Sequence, residues 1–248
     1  RLGMHVTTHI DFGVLSIRRA LAIGVRHFEH AYTLGVEVIS PSDAQAAWTR
    51  TRQELGADPP AGFYWGVLEH FNTLGPRNAA LGALIADLAK AHATVTPTLH
   101  IFAQRAGLAP YATKPLGTFD NSDAWTPAQR ARARRGYEIL AQYVRQLHDA
   151  GVTLAVGTDW LDPGQVALSE MILLHRAGIP MADVLSIATL GGARVMEREA
   201  DYGTIEPGRK AQLRPRVLHE RRAVRQLIFD PLRVIVVAEL GIDVSEDA

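Results

Sequence analysis

Short apolar runs alternate with longer amphipathic segments along the chain. The runs carry apolar residues on both faces, which is typical of buried parallel strands. The longer segments space their apolar residues as helices do, and several begin with residues that favour helix caps. The predicted strands cover residues 4–9, 25–30, 94–99 and 152–159, and the predicted helices cover residues 13–24, 40–56, 78–93, 126–151, 166–178 and 180–197.

This alternation predicts an α/β fold of parallel βα units. A (β/α)8 barrel of about 250 residues uses roughly 31 residues for each unit, whereas four strands occupy the first 159 residues here. Four strands cannot close a barrel. We therefore expect residues 1–200 to be part of a barrel whose other half lies upstream of Arg1, which is not a methionine. Residues 57–76, rich in glycine, proline and aromatic side chains, give no assignment.

Composition excludes several classes of function. The chain has 26 basic and 26 acidic residues, so its charge predicts no nucleic-acid partner and no acidic membrane surface. No apolar run approaches the roughly 18 residues needed to cross a bilayer. The absence of cysteine excludes disulfides and thiolate chemistry, but leaves the compartment undetermined. A homo-oligomer remains open.

Three residues with metal-binding chemistry stand at the ends of predicted strands: His9, His30 and Asp159. Side chains at the carboxyl ends of parallel strands converge on one site. Imidazole nitrogen and carboxylate oxygen are usual ligands of a zinc-like ion, which activates a bound water for hydrolysis. The same residues also have a structural interpretation, because strand-end histidines often only form hydrogen bonds and aspartate favours turns.

Four motifs follow one another in the order seen in the amidohydrolase superfamily. They are "VTTHIDFGVLSIRRALAIGVRHFEH", "VTPTL", "GVTLAVGTD" and "ATLGGARVMEREADYGTIEPGRKA". Together they resemble strands 5 to 8 of the barrel and the segment after it, in particular those of imidazolonepropionase-like and prolidase-like metal-dependent hydrolases. The resemblance implies the C-terminal half of a TIM-type barrel, with a remnant of a small β-sandwich domain near residues 203–211.

The resemblance implies a role for each candidate residue. His9 would be the strand-5 metal ligand and His30 the strand-6 ligand, while Asp159 would bind metal and shuttle a proton. His100, which follows the strand-7 motif, could reach the substrate. The implied cofactor is a divalent metal, zinc in one or two copies. The implied partner is a small-molecule amide, cyclic amide or dipeptide, hydrolysed at a C–N bond.

The chain departs from the family pattern in several places. The family's strand-1 H-x-H pair and strand-4 lysine would lie upstream of Arg1, and Asp11 stands where relatives often have a second histidine. About residues 40–76 form extra length after strand 6, interpreted as either a specificity element or a peripheral insertion. Glu170 is predicted to be a charge on a helix surface.

The C-terminal region, residues 201–248, is predicted to hold the sandwich remnant and an atypical tail. After Ala211 the sequence reads "QLRPRVLHERRAVRQLIFD", which is rich in arginine where relatives have an apolar strand. Two interpretations stay open: an altered tail, or a displaced reading frame that would leave no packed strand there.

Two rival functions also stay open. One is a non-catalytic fragment or pseudoenzyme that keeps the scaffold, and the other is an unrelated parallel α/β binding protein with structural histidines. With the strand-1 ligands absent, we expect the isolated chain to bind metal weakly and to hydrolyse substrate negligibly.

Overall fold

The computed structural model of the chain describes residues 6–10, 14–56, 59–111, 125–160 and 162–210. Asp11 and the tail after Lys210 lie outside the described residues, so the predictions made for them stay untested.

Four parallel strands form one sheet in the order β1-β2-β3-β4, which is also their order along the chain. They are β1 Thr7–His9, β2 His27–Glu29, β3 Thr94–Thr96 and β4 Thr153–Leu154. Backbone pairing sets Thr8 opposite Phe28, Phe28 opposite Val95 and Val95 opposite Leu154. The prediction of parallel βα units is confirmed, although each strand is shorter than its apolar run.

Helices connect the strands and continue beyond the last one. They are α1 Ile17–Ala22, α2 Thr33–Val38, α3 Pro41–Leu55, α4 Pro59–Leu74, α5 Ala79–Lys90, α6 Leu99–Arg105, α7 Pro127–Asp149, α8 Pro163–Arg176, α9 Met181–Ser186 and α10 Gly192–Val195. Local signals explain several starts. Ser40 accepts from the third residue of α3, and Thr126 forms a reciprocal capping box with Gln129 at α7. Such caps satisfy amides that have no partner inside the helix.

Two segments differ from their predictions, and a third, unassigned from the sequence, is helical. The unassigned residues 57–76 contain α4, and the predicted strand 94–99 ends at Thr96, after which α6 begins. The predicted helix 180–197 is interrupted by a π-helical turn, Ile187–Gly191. At Gly191 a Cβ atom would lie 2.2 Å from the Leu154 carbonyl oxygen of β4. The absence of a side chain at Gly191 lets the helix backbone rest directly on the sheet.

Helices α4 and α7 pack against each other through large buried side chains, among them Trp65, Phe71 and Tyr143. Arg132 of α7 pairs with Glu69 of α4 and, at 2.6 Å, with Glu54 of α3. The extra segment after β2 is therefore packed into the core of the described chain rather than projecting from it.

The backbones of α4 and α7 approach each other closely at Gly136, and this leads to a stability prediction. A Cβ atom at Gly136 would lie 2.1 Å from the Leu68 carbonyl oxygen and 2.7 Å from its carbonyl carbon. Gly136→Ala is expected to lower the free energy of unfolding by about 3 kcal/mol, since backbone atoms cannot rotate away. Urea denaturation measures this change.

Gly82→Ala in α5 is the matched control, because no atom lies within 4 Å of its Cβ position. That variant should gain about 0.5–1 kcal/mol from helix propensity. Equal effects of the two substitutions would show that α4 and α7 do not pack as described.

Residues 201–210 form turns, held by an ion pair of 3.1 Å between Lys210 Nζ and Asp201 Oδ2. The described part of the predicted sandwich remnant thus contains no strand. Among the described residues, no helix combines the length and apolar character needed to cross a membrane.

Candidate functional site

The three residues predicted at strand ends lie together beyond the carboxyl edge of the sheet. His9 is the last residue of β1, His30 directly follows β2, and Asp159 follows β4 by five residues. The rings of His9 and His30 lie 4.8 Å apart, edge to face. His30 Nδ1 lies 3.9 Å from Asp159 Oδ2. The carboxyl ends of parallel strands thus bring two imidazoles and a carboxylate together.

Tyr32 and Phe63 form an aromatic surface beside the two histidines, here called the aromatic wall, which the sequence did not predict. Its ring stacks on His30, with centroids 5.7 Å apart and planes 19° apart, and its hydroxyl lies 3.3 Å from His9 Nε2. On its other side Tyr32 meets the edge of Phe63, at 5.3 Å between centroids. Phe63 belongs to α4 and is 39% exposed. The extra segment therefore reaches the two histidines through Tyr32.

Thr98 is a second residue that the sequence analysis missed. It lies two residues beyond β3 and is buried, and its Oγ1 atom lies 2.9 Å from His30 Nδ1. A hydroxyl at this distance can hold the imidazole in one orientation, with the other ring nitrogen left for other partners.

Burial determines the charge of the central histidine. It lowers the pKa of His30, more than the nearby Asp159 carboxylate raises it, and His9 lowers it further. The neutral form of His30 is therefore favoured, and a neutral imidazole is the form that binds a metal. The adjacent Glu29 carboxyl has its pKa raised by burial, partly offset by a hydrogen bond to Thr96.

His100, predicted to reach the substrate, lies in the buried contact between α6 and α8. It is fully buried, and its ring nitrogens lie 2.6 Å from Ser169 Oγ and 3.2 Å from Gln104 Oε1. Burial also lowers its pKa. These contacts give His100 a packing role, and its contact with substrate stays a prediction.

The prediction that Glu170 is a surface charge is wrong. Its side chain is fully buried, and its two oxygens accept hydrogen bonds from the backbone N–H groups of Leu99, at 2.7 Å, and His100, at 2.8 Å. The side chain of Thr98, at the N-cap position of α6, makes no capping hydrogen bond. The Glu170 side chain on α8 therefore caps the start of α6. Negative charge is favourable there, because the first amides of a helix have no partner within it.

The burial of Glu170 predicts a pH dependence of stability. Desolvation raises its pKa from 4.5 to about 7, against the two backbone hydrogen bonds that lower it. The neighbouring titratable groups are His100, whose pKa burial lowers, and Tyr137, whose pKa burial raises. The folded state then holds its proton more tightly than the unfolded state does. Glu170 therefore contributes up to about 3 kcal/mol to the free energy of unfolding below pH 4.5. This contribution is lost as the pH rises towards 7.

Urea unfolding at pH 5 and pH 8 measures this contribution as the difference between the chain and Glu170→Gln, which cannot titrate. Glu138→Gln, an exposed position on α7, should behave as the parent does. The same pH dependence in Glu170→Gln would show that the two amides keep Glu170 ionised throughout.

The side chains of His9, His30 and Asp159 carry atoms that can bind a metal ion. Two imidazole nitrogens and a carboxylate oxygen are the ligand types that a zinc-like ion prefers. Among the described residues, however, no three histidine, cysteine, aspartate or glutamate side chains are arranged to enclose an ion. The ligand types fit, but the described side chains do not by themselves complete a centre.

Two known proteins match parts of this chain. The imidazolonepropionase of Cutibacterium acnes is 38% identical over 74 residues, which cover 28% of this chain and 18% of that protein. A crystal structure of a Xaa-Pro dipeptidase with bound methionine aligns with 79% of this chain and 49% of its own, with 16% identity and a TM-score of 0.37. The chain thus spans less than half the length of either protein.

Residues 85–216 match the sequence profile described as "Amidohydrolase family". The matched segment contains β3, β4 and Asp159, whereas His9 and His30 lie upstream of it. Because the match covers more than half of the 248 residues, the chain belongs to the amidohydrolase family.

Proposed function

We propose that this chain carries part of the active site of a metal-dependent hydrolase that cleaves a C–N bond in a small amide, cyclic amide or dipeptide. The convergence of His9, His30 and Asp159 at one edge of a parallel sheet supports this most directly. Family membership supports hydrolysis. The imidazolonepropionase relative is consistent with a cyclic or small amide-like substrate.

In this proposal His9 and His30 would hold a divalent ion through their neutral ring nitrogens, and these ligand types favour zinc. When bound, such an ion would lower the pKa of a water molecule and polarise the substrate carbonyl. Asp159 accepts the proton of the attacking water and delivers it to the leaving nitrogen. Asp159 is suited to this because its side chain is 56% exposed and lies 3.9 Å from His30 Nδ1.

We further propose that the barrel is partial in this chain and that ligands from an upstream half complete the centre. The incomplete enclosure by the described residues supports this. Zinc titration, with hydrolysis of a dipeptide and lactam panel, tests the proposal on the 248-residue chain and on a version carrying the upstream coding sequence. Activity of the longer version alone is expected. If neither version hydrolyses a substrate and neither binds zinc tightly, the proposed function is overturned.

The same incomplete enclosure favours a second candidate, a non-catalytic member of the family. Such a protein would keep the fold and the histidine pair but hydrolyse no substrate in either version. Zinc binding without turnover by the longer version would favour this alternative, because a bound ion without a substrate-activating arrangement gives no rate.

The aromatic wall supports a role for α4 in substrate selection. Phe63 is exposed beside Tyr32, which stacks on His30, so an apolar group bound near the histidines would lie against it. Phe63→Ala is expected to raise KM for substrates with an apolar side chain by about tenfold, from the loss of part of the contact area of one aromatic side chain.

The control is Phe63→Leu, which keeps an apolar surface and should stay near the parent KM. Steady-state kinetics on leucine-containing and glycine-containing dipeptides separates the effects. An unchanged KM for both substrates in Phe63→Ala would show that Phe63 takes no part in substrate selection.

A further inference from the structure

Three residues that follow strands of this sheet have left-handed backbone conformations although none is glycine. They are His30, with φ of 64°, Thr98, with φ of 52°, and Asp159, with φ of 45°. The left-handed region is least favourable for a β-branched residue, so Thr98 is the most unusual of the three. Such strain persists only where the surrounding structure holds it.

Two neighbouring residues of α8 hold the segment that follows Thr98. Glu170 accepts the N–H groups of Leu99 and His100 at 2.7 and 2.8 Å, and Ser169 Oγ lies 2.6 Å from His100 Nδ1. Both α8 residues are fully buried. The first two amides of α6 are thus clamped from another element, directly after the strained residue.

The clamped turn points the Thr98 hydroxyl at the candidate site. Thr98 Oγ1 lies 2.9 Å from His30 Nδ1, within hydrogen-bonding distance. If Thr98 returned to an ordinary backbone conformation, the hydroxyl would move away from the imidazole. The orientation of His30 is therefore linked to α8 through the start of α6.

We propose that Glu170 is a positioning residue, which holds Thr98 in its left-handed turn so that the Thr98 hydroxyl accepts from His30 Nδ1–H. His30 then has its Nε2 lone pair free for the site. Metal-binding histidines commonly donate their second nitrogen in this way. The value of this orientation for catalysis rests on the proposed function, but the tautomer of His30 can be measured without metal or substrate.

The test is nitrogen-15 NMR of the histidine rings in the 248-residue chain, with the His30 signals assigned from their loss in His30→Gln. The parent is expected to show the Nδ1–H tautomer at His30. Thr98→Val should shift it towards Nε2–H, and Thr98→Ser, which keeps the hydroxyl, should restore the parent signals. Glu170→Gln should shift the tautomer as Thr98→Val does, while Glu138→Gln should leave it unchanged.

Amide hydrogen exchange on each variant shows whether it keeps the parent fold. If Glu170→Gln does not fold, Ser169→Ala takes its place, because it removes the second tie to α6. A parent tautomer retained in Thr98→Val or in a folded Glu170→Gln overturns the proposal. Where turnover is present, Glu170→Gln should lower kcat by about 10-fold or more with little change in KM. If the version that carries the upstream coding sequence shows no turnover, the proposed function is contradicted, whereas the tautomer result still decides the role of Glu170.

Discussion

In the version that carries the upstream coding sequence, Asp159→Asn is expected to lower kcat for amide hydrolysis by about 1,000-fold. Asparagine keeps the shape of the side chain but cannot accept the proton of the attacking water, and positioned proton transfer contributes about 100- to 10,000-fold. Zinc affinity should fall much less, because an amide oxygen can still approach the ion. Steady-state kinetics on a dipeptide or lactam substrate, together with zinc titration, measures the two effects separately.

Asp162→Asn is the matched control. Asp162 is exposed, begins α8 and makes no side-chain capping hydrogen bond. Its kcat should equal that of the parent. If Asp159→Asn retained the parent kcat, the proton acceptor would have to be another group, and the role assigned to Asp159 would be wrong.

His30→Ala is expected to weaken zinc binding by more than about 100-fold. The substitution removes the central member of the cluster, whose ring contacts His9 and lies within 3.9 Å of the Asp159 carboxylate. Loss of a residue that only supports a ligand already costs about 10- to 100-fold in affinity, so loss of a ligand should cost more. Competition with a chelator of known affinity measures the change.

His148→Ala provides the control for adventitious binding. His148 lies 3.3 Å from carboxylate oxygens of both Asp149 and Asp183, at the other end of α7 from its capping box. Its removal should leave the zinc affinity of the version that carries the upstream coding sequence unchanged. An equal loss in the two variants would show that the zinc is held at the surface, and His30 would then be structural.

The alternation of strands and helices could be read from the sequence because each element is specified locally. Apolar runs specify the strands, and residues such as Ser40 and Thr126 specify helix starts. The shared edge of His9 and His30 followed from the same reasoning, since parallel strands place their carboxyl ends on one side. Membership of the amidohydrolase family was also visible in the order of the motifs, and the profile match confirms it.

Helix α4 could not be assigned because its sequence is rich in residues with low helix propensity, so tertiary packing has to supply its stability. That packing depends on Gly136, which lies in α7 and about 60 residues later in the chain, where its missing side chain admits the α4 backbone. Long-range contacts of this kind outweigh local propensity and leave no local pattern.

The surroundings of the candidate site were decided only by the tertiary structure. Tyr32 and Glu170 lie outside the four motifs, and Thr98 lies within "VTPTL" without any sign in the sequence that its hydroxyl contacts His30. Glu170 also lies on a helix, where a carboxylate ordinarily faces solvent. Its burial arises because α8 packs against the start of α6, whose two amides need an acceptor. The sequence by itself determined which ligand types stand at the strand ends. Only the packing of separate helices decided which groups orient them, because hydrogen bonds between distant segments form only once the chain is folded.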